Sequence, residues 1–118
     1  MESPIFYNCE QIDLQTACAM DDALFYCDYV VVAPFDRDNP RCADHEAEVT
    51  VTREAFKKCW STLSNVGAYA AFIVDENAPE GGRDTAEYKA WLEGFCEGEG
   101  YLRELCDDWR ARRRPCDD

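Results

Sequence analysis

Basic residues are missing from the first third of the chain. Residues 1–36 contain no lysine, arginine or histidine, but they carry seven carboxylates. Such a surface repels itself and adds nothing to stability, so either a partner compensates for it or it serves solubility alone. Over the whole chain 25 acidic residues stand against 12 basic ones, and the formal net charge is −13. This balance argues against direct binding to nucleic acid or to an anionic membrane.

Long apolar runs and targeting signals are also missing. No stretch approaches the ~18 apolar residues that a membrane-spanning helix needs. The first residues show neither the basic segment nor the apolar segment of a secretory signal. The chain has eight cysteines but no C-x-x-C pair. We therefore expect a cytoplasmic protein (in the host cytoplasm if it is phage-encoded), with reduced cysteines that are mostly small core residues.

Motifs for catalysis and for metal binding are sparse. The single histidine, His45, lies in Cys42-Ala43-Asp44-His45, which is half of a zinc site without a second close pair of ligands. A thiolate–imidazole pair of His45 with Cys42 or Cys59 lacks any surrounding signature. Neither Gly81-Gly82 nor Gly98-Glu99-Gly100 has the context of a phosphate-binding loop. The sequence predicts a protein that is not an enzyme and has no metal or cofactor.

The composition nevertheless predicts a folded protein. Hydrophobic residues make up 47% of the chain and aromatic residues 13%, whereas disordered acidic segments are poor in aromatics. A length of 118 residues suits one modest core. We expect one compact acidic domain spanning residues 1–118.

Three segments are predicted to be strands. Residues 29–33 are rich in valine and end at Pro34, which is typical of a strand buried on both faces. Residues 46–52 alternate in polarity and should pair antiparallel with residues 29–33. Residues 68–74 are apolar and short and follow Gly67, which favours a buried strand over a continuing helix.

Helical spacing appears in four places. Residues 10–25 place Leu14, Ala17 and Cys18 on one stripe, with Asp13 as a cap. Thr52 is predicted to cap the next helix, which ends at Gly67. The apolar stripe of this second helix consists of Phe56, Cys59, Trp60 and Leu63.

The last two predicted helices have aromatic stripes. Asp84 is predicted to cap the first of them, through the box Asp84-Thr85-Ala86-Glu87. We expect them to form a C-terminal helical hairpin, with Trp91 and Phe95 packed near Leu105 and Trp109. The predicted fold class is therefore α+β, with a small antiparallel sheet of about three strands and three or four helices. An all-α fold is the alternative if residues 29–33 and 68–74 are helical.

Carboxylates are spread over several elements, and we predict that they form an acidic partner-binding surface. Carboxylates one helical turn apart, about 5.4 Å, come within a factor of two of the phosphate spacing along a nucleic-acid strand. Rows of them would meet arginine and lysine rows that are built to hold nucleic acid. The predicted site residues are Asp13, Asp21, Asp22, Asp28, Asp75, Glu76, Glu80, Glu93, Glu97, Glu104, Asp107 and Asp108.

In size and charge the chain is similar to the acidic anti-defence proteins of phages and mobile elements, such as anti-CRISPR and anti-restriction proteins. The resemblance implies an inhibitor whose partner is the basic surface of a nucleic-acid-binding protein or complex. The alternative is a protein–protein adaptor or small regulatory subunit, acidic only for solubility. Such an adaptor would use an apolar patch around Tyr26, Tyr29 and Phe35 and could form a homodimer. A cysteine-based metal or redox module is the third hypothesis.

Overall fold

The structure, a computed structural model, describes residues 7–9, 27–36, 38–39, 42–79 and 85–113. The predicted α+β class is confirmed, and the all-α alternative is not supported. The strands are β1 (Tyr7–Asn8), β2 (Tyr29–Ala33), β3 (Val49–Val51) and β4 (Tyr69–Ile73). The helices among these residues are α1 (Arg53–Lys58), α2 (Trp60–Val66), α3 (Ala86–Glu93), α4 (Glu99–Arg113) and a 3-10 turn at His45–Ala47.

The sheet is antiparallel and has the strand order β1-β4-β2-β3. Strand β2 lies inside it, with Val31 opposite Ala71 of β4 and opposite Thr50 of β3. Val30 and Val32 point to the core, while Val31 is buried on the other face. This position explains the continuous run of valines, as the sequence predicted.

Strand β3 is shorter than predicted, because residues 45–47 form a 3-10 turn instead of its first residues. The backbone N–H of Glu46 donates to the Asp44 carboxylate at 3.2 Å. This local bond gives the backbone an alternative to the strand ladder.

The helical segment after β3 begins and ends where the sequence predicted. The backbone N–H of Ala55 donates to Thr52 Oγ1 at 3.1 Å, and Gly67 adopts a left-handed conformation with φ 72°. The predicted single helix is, however, interrupted at Cys59, whose φ of −98° and ψ of 10° separate α1 from α2. The predicted apolar stripe of this segment is buried in the core on both sides of the break.

The cap of α3 lies one residue later than predicted. Tyr88 N–H donates to Thr85 Oγ1 at 3.1 Å, so Thr85 is the cap. Asp84 and the predicted helix over residues 10–25, with Asp13 as its cap, lie outside the described residues.

The two C-terminal helices are present, but the main packing partner of α4 differs from the prediction. Helix α4 packs against α1 and α2, and it buries Leu102, Cys106 and Trp109 in the same core. The reason lies in the connection between α3 and α4. There, the backbone N–H of Glu97 donates to the carbonyl of Thr50 at 2.7 Å, beside β3. This bond brings the chain to the α1 and α2 side of the sheet before α4 begins.

None of the helices in the described ranges combines the length and the apolar character needed to cross a membrane.

Candidate partner-binding surface

Asp28 is a correction to the predicted acidic surface, because its side chain is only 2% exposed. Its carboxylate accepts hydrogen bonds from the Tyr88 hydroxyl at 2.9 Å and from the backbone N–H of Asp75 at 2.7 Å. Its own N–H donates to the carbonyl of Ile73 at 2.7 Å. Asp28 therefore ties the start of β2 to the end of β4 and to α3, and it cannot meet a partner.

Four predicted site residues lie outside the described part of the chain: Asp13, Asp21, Asp22 and Glu80. Their place in a binding surface stays a prediction.

Helix α4 carries the densest group of exposed carboxylates among the described residues: Glu104, Asp107 and Asp108. Leu102, Cys106 and Trp109 face the core, so helical geometry directs these three acids outward. With a rise of about 1.5 Å per residue, Asp107 lies ~4.5 Å and Asp108 ~6 Å along the axis from Glu104. We call Glu104, Asp107 and Asp108 the acidic row.

Two basic side chains near the start of α4 pair with Glu99. Arg103 Nε lies 3.0 Å from one carboxylate oxygen of Glu99, and Lys58 Nζ lies 3.7 Å from the other. Within the described residues the acidic row takes part in no ion pair, whereas Glu99 takes part in two. The row therefore presents carboxylates to solvent, and Arg110, three residues after Asp107 on α4, is exposed as well.

The remaining predicted acids lie on separate short segments. Glu76, Glu93 and Glu97 are exposed, and Asp75 is half-buried. The Asp75 carboxylate accepts from the backbone N–H of Asn77 at 2.8 Å and so stabilises the turn after β4. The structure thus brings three predicted residues onto one helix and leaves these four on the turn after β4 and around the end of α3.

The sequence analysis missed a row of aromatic rings that reaches the surface. Ring centroids lie 5.4 Å apart for Tyr88 and Trp91, 4.8 Å for Trp91 and Phe95, and 5.0 Å for Phe95 and Tyr29. Phe95 is 41% exposed, and Trp91 and Tyr29 are half-buried. We call Tyr29, Trp91 and Phe95 the aromatic patch.

The aromatic patch replaces two earlier predictions. Trp91 contacts Phe95, and Phe95 contacts Tyr29, where the sequence predicted packing of Trp91 and Phe95 against α4. Of the apolar patch predicted around Tyr26, Tyr29 and Phe35, Phe35 is buried and Tyr26 lies outside the described residues. Helical spacing did not predict this arrangement, because the apolar spacing continues to Phe95 although α3 ends at Glu93.

Carboxylate charge lies close to this patch. Burial raises the pKa of the Tyr29 hydroxyl, and the neighbouring Asp75 carboxylate raises it further. Glu87 and Trp91 are four residues apart on α3, so their Cβ atoms lie about 5–6 Å apart. Lys89 is two residues from Trp91, which places it roughly 160° around the helix. The Trp91 side of α3 is therefore acidic.

Several of the described cysteines are core residues with raised thiol pKa values. Cys9, Cys59 and Cys106 are buried in the core, and burial raises the pKa of Cys9 and of Cys106 to about 12. Burial also raises the pKa of Cys59, which keeps its thiol protonated. In the parts of the chain that the structure describes, no three His, Cys, Asp or Glu side chains are arranged to hold a metal ion.

The candidate half-site Cys42–His45 lies on the surface. Asn39 Nδ2 donates to Cys42 Sγ at 3.1 Å, and His45 Nδ1 lies 3.4 Å from a Glu48 carboxylate oxygen. These contacts are those of an exposed loop with ordinary polar partners.

Comparison of the chain with family models, with curated proteins and with solved structures gives no match. Function is therefore argued from the acidic row and the aromatic patch.

Proposed function

We propose that this protein is a non-enzymatic inhibitor that occupies a nucleic-acid-binding surface of a target complex, in the manner of phage-type anti-CRISPR or anti-restriction proteins. The observation that carries the proposal is the acidic row on α4, whose carboxylates are exposed and unpaired with described residues. They stand on a chain with a net charge of −13.

The mechanism is substitution of carboxylates for phosphates. Arginine and lysine side chains that normally neutralise a phosphate backbone would instead form charge-assisted hydrogen bonds with Glu104, Asp107 and Asp108. The protein itself binds no nucleic acid, since both carry negative charge. It acts in the cytoplasm, and in the host cytoplasm if a phage encodes it.

A capture experiment with a matched pair of variants tests the proposal. The immobilised wild-type protein is incubated with lysate from a host with several nucleic-acid-targeting systems. The captured proteins are then identified at low and at high salt. We expect a nucleic-acid-binding complex that is lost at high salt, because exposed ion pairs are screened. Purified complex should then release labelled nucleic acid when the protein is added.

The test variant is Glu104→Gln/Asp108→Asn, and the control is Glu46→Gln/Glu54→Gln, which removes the same charge from exposed positions near β3 and on α1. The test variant should bind more weakly than the control. A captured partner that resists high salt and binds both variants equally would contradict phosphate mimicry.

The exposed aromatic patch supports one alternative, a protein–protein adaptor whose acidity serves solubility. An adaptor would lose its partner on substitution of Phe95 and keep it on neutralisation of the acidic row. Two copies pairing through this patch would each bring a net charge of −13, and that repulsion disfavours a homodimer.

A further inference from the structure

The aromatic patch has a second property besides its exposure, which is the charge around it. Phe95 is exposed although it contacts both Trp91 and Tyr29, so a partner reaches a set of rings that is already assembled. Asp75 lies beside Tyr29, and Glu87 lies one turn before Trp91 on α3. Rings beside carboxylates suit a ligand that is both cationic and flat.

We propose that the aromatic patch binds an arginine side chain of the basic partner, with the guanidinium group packed against Trp91 and Phe95, whose ring planes meet at 71°, and the nearby carboxylates accepting its hydrogen bonds. This inference rests on the proposed function and names the residue type that the partner must present.

The choice of arginine over lysine follows from physical chemistry. A guanidinium group is planar and weakly hydrated, so it stacks on aromatic rings and still donates sideways to carboxylates. An ammonium group is compact and strongly hydrated, and it gains less at such a site. Cation–π attraction is strongest for tryptophan and is worth about 0.5–1 kcal/mol at exposed sites. That energy corresponds to an affinity difference of roughly two- to fivefold per anchored arginine.

The test compares two peptides of equal charge, nona-arginine and nona-lysine, by isothermal titration against the intact protein at low salt. Wild-type protein should bind nona-arginine more tightly than nona-lysine, by up to about fivefold, which is the full cation–π contribution. The variant Phe95→Leu keeps apolar volume but loses one of the two rings, and its preference for nona-arginine should be smaller than that of wild type. The matched control Tyr101→Leu removes the exposed ring of α4, which is 45% exposed, and should keep the preference.

A second measurement on the wild-type protein tests the proposal even if Phe95→Leu does not fold. Trp60 and Trp109 are buried and Trp91 is only half-buried, so acrylamide quenching of tryptophan fluorescence reports mainly on Trp91. Nona-arginine should reduce this quenching more than nona-lysine does.

The outcomes separate the two proposals. Equal, salt-sensitive binding of both peptides would overturn the arginine anchor and leave phosphate mimicry standing. A preference for arginine that is undiminished in folded Phe95→Leu would overturn the assignment to this patch. Failure of wild-type protein to bind either peptide at low salt would count against both proposals.

Discussion

Replacement of Tyr88 by phenylalanine should destabilise the protein well beyond an ordinary surface change. The Tyr88 hydroxyl donates to the Asp28 carboxylate at 2.9 Å, and it lies 3.2 Å from the Asp28 carbonyl oxygen. Tyr88→Phe removes this donor and leaves a carboxylate that is 2% exposed with one hydrogen bond fewer. Hydrogen bonds to charged groups contribute about 1.5–3 kcal/mol, so we expect the free energy of unfolding to fall by that amount.

The assay is chemical denaturation with a parallel thermal scan. For a domain of this size about 1 kcal/mol shifts Tm by about 4 °C, so Tyr88→Phe should lower Tm by roughly 6–12 °C. The control is Tyr101→Phe at a residue that is 45% exposed, and its effect should stay within about 0.5 kcal/mol. If Tyr88→Phe is no more destabilising than Tyr101→Phe, the bond between α3 and Asp28 is not a stabilising contact and the assignment of Asp28 as a buried structural link is wrong.

Three further predictions concern the core and the helix ends. Alkylation of the folded protein at pH 8 should modify exposed Cys42 well before Cys9 and Cys106, because a thiol with a pKa of about 12 has little thiolate at that pH. Mass spectrometry measures the rate at each cysteine, and equal rates would contradict the burial of Cys9 and Cys106. The thiols of Cys9 and Cys106 stay protonated in the folded state, whereas they ionise above pH ~9 in the unfolded state. The free energy of unfolding should therefore fall as pH rises from 9 towards 12. Denaturation curves recorded over this pH range should show a smaller fall for Cys106→Ala than for wild type. Thr85→Ala should lower the free energy of unfolding by about 1 kcal/mol, because α3 loses its cap. Gly67→Ala should lower it by about 1–2 kcal/mol, because alanine is strained at positive φ. An unchanged denaturation midpoint would contradict either prediction.

Local chemistry was enough to predict the strands and several boundaries. The valine run of β2 and the short apolar segment of β4 both form strands, because their β-branched or apolar residues fill both faces of a covered sheet. Thr52 begins its helical segment and Gly67 ends it, as predicted. An N-terminal cap needs only a side-chain acceptor, and a left-handed turn needs only a glycine.

Contacts between distant residues explain what could not be predicted. The burial of Asp28 depends on Tyr88, sixty residues away, and no local pattern separates this aspartate from its exposed neighbours in the sequence. The packing of α4 against α1 and α2 buries Leu102, Cys106 and Trp109 among residues from about 40 positions earlier in the chain, and the bond from Glu97 to Thr50 lies beside this contact. Asp84 and Thr85 are both good caps by composition, and only the path of the chain selects Thr85.

The acidic row was predictable and the aromatic patch was not. The period of α4 alone places Glu104, Asp107 and Asp108 away from Leu102 and Cys106. The patch requires that α3 end before Phe95 and that the ring reach Tyr29 on β2, which is tertiary information.

The bond between Glu97 and Thr50 also has a consequence for self-association. Strand β3 is one of the two outer strands of the sheet, and an outer strand with free backbone groups is a template for edge-to-edge pairing and aggregation. The segment around Glu97 runs parallel to β3 at Val51 and occupies the Thr50 carbonyl. The chain itself thus occupies part of this edge, which leaves β3 with fewer free backbone groups to offer a foreign strand.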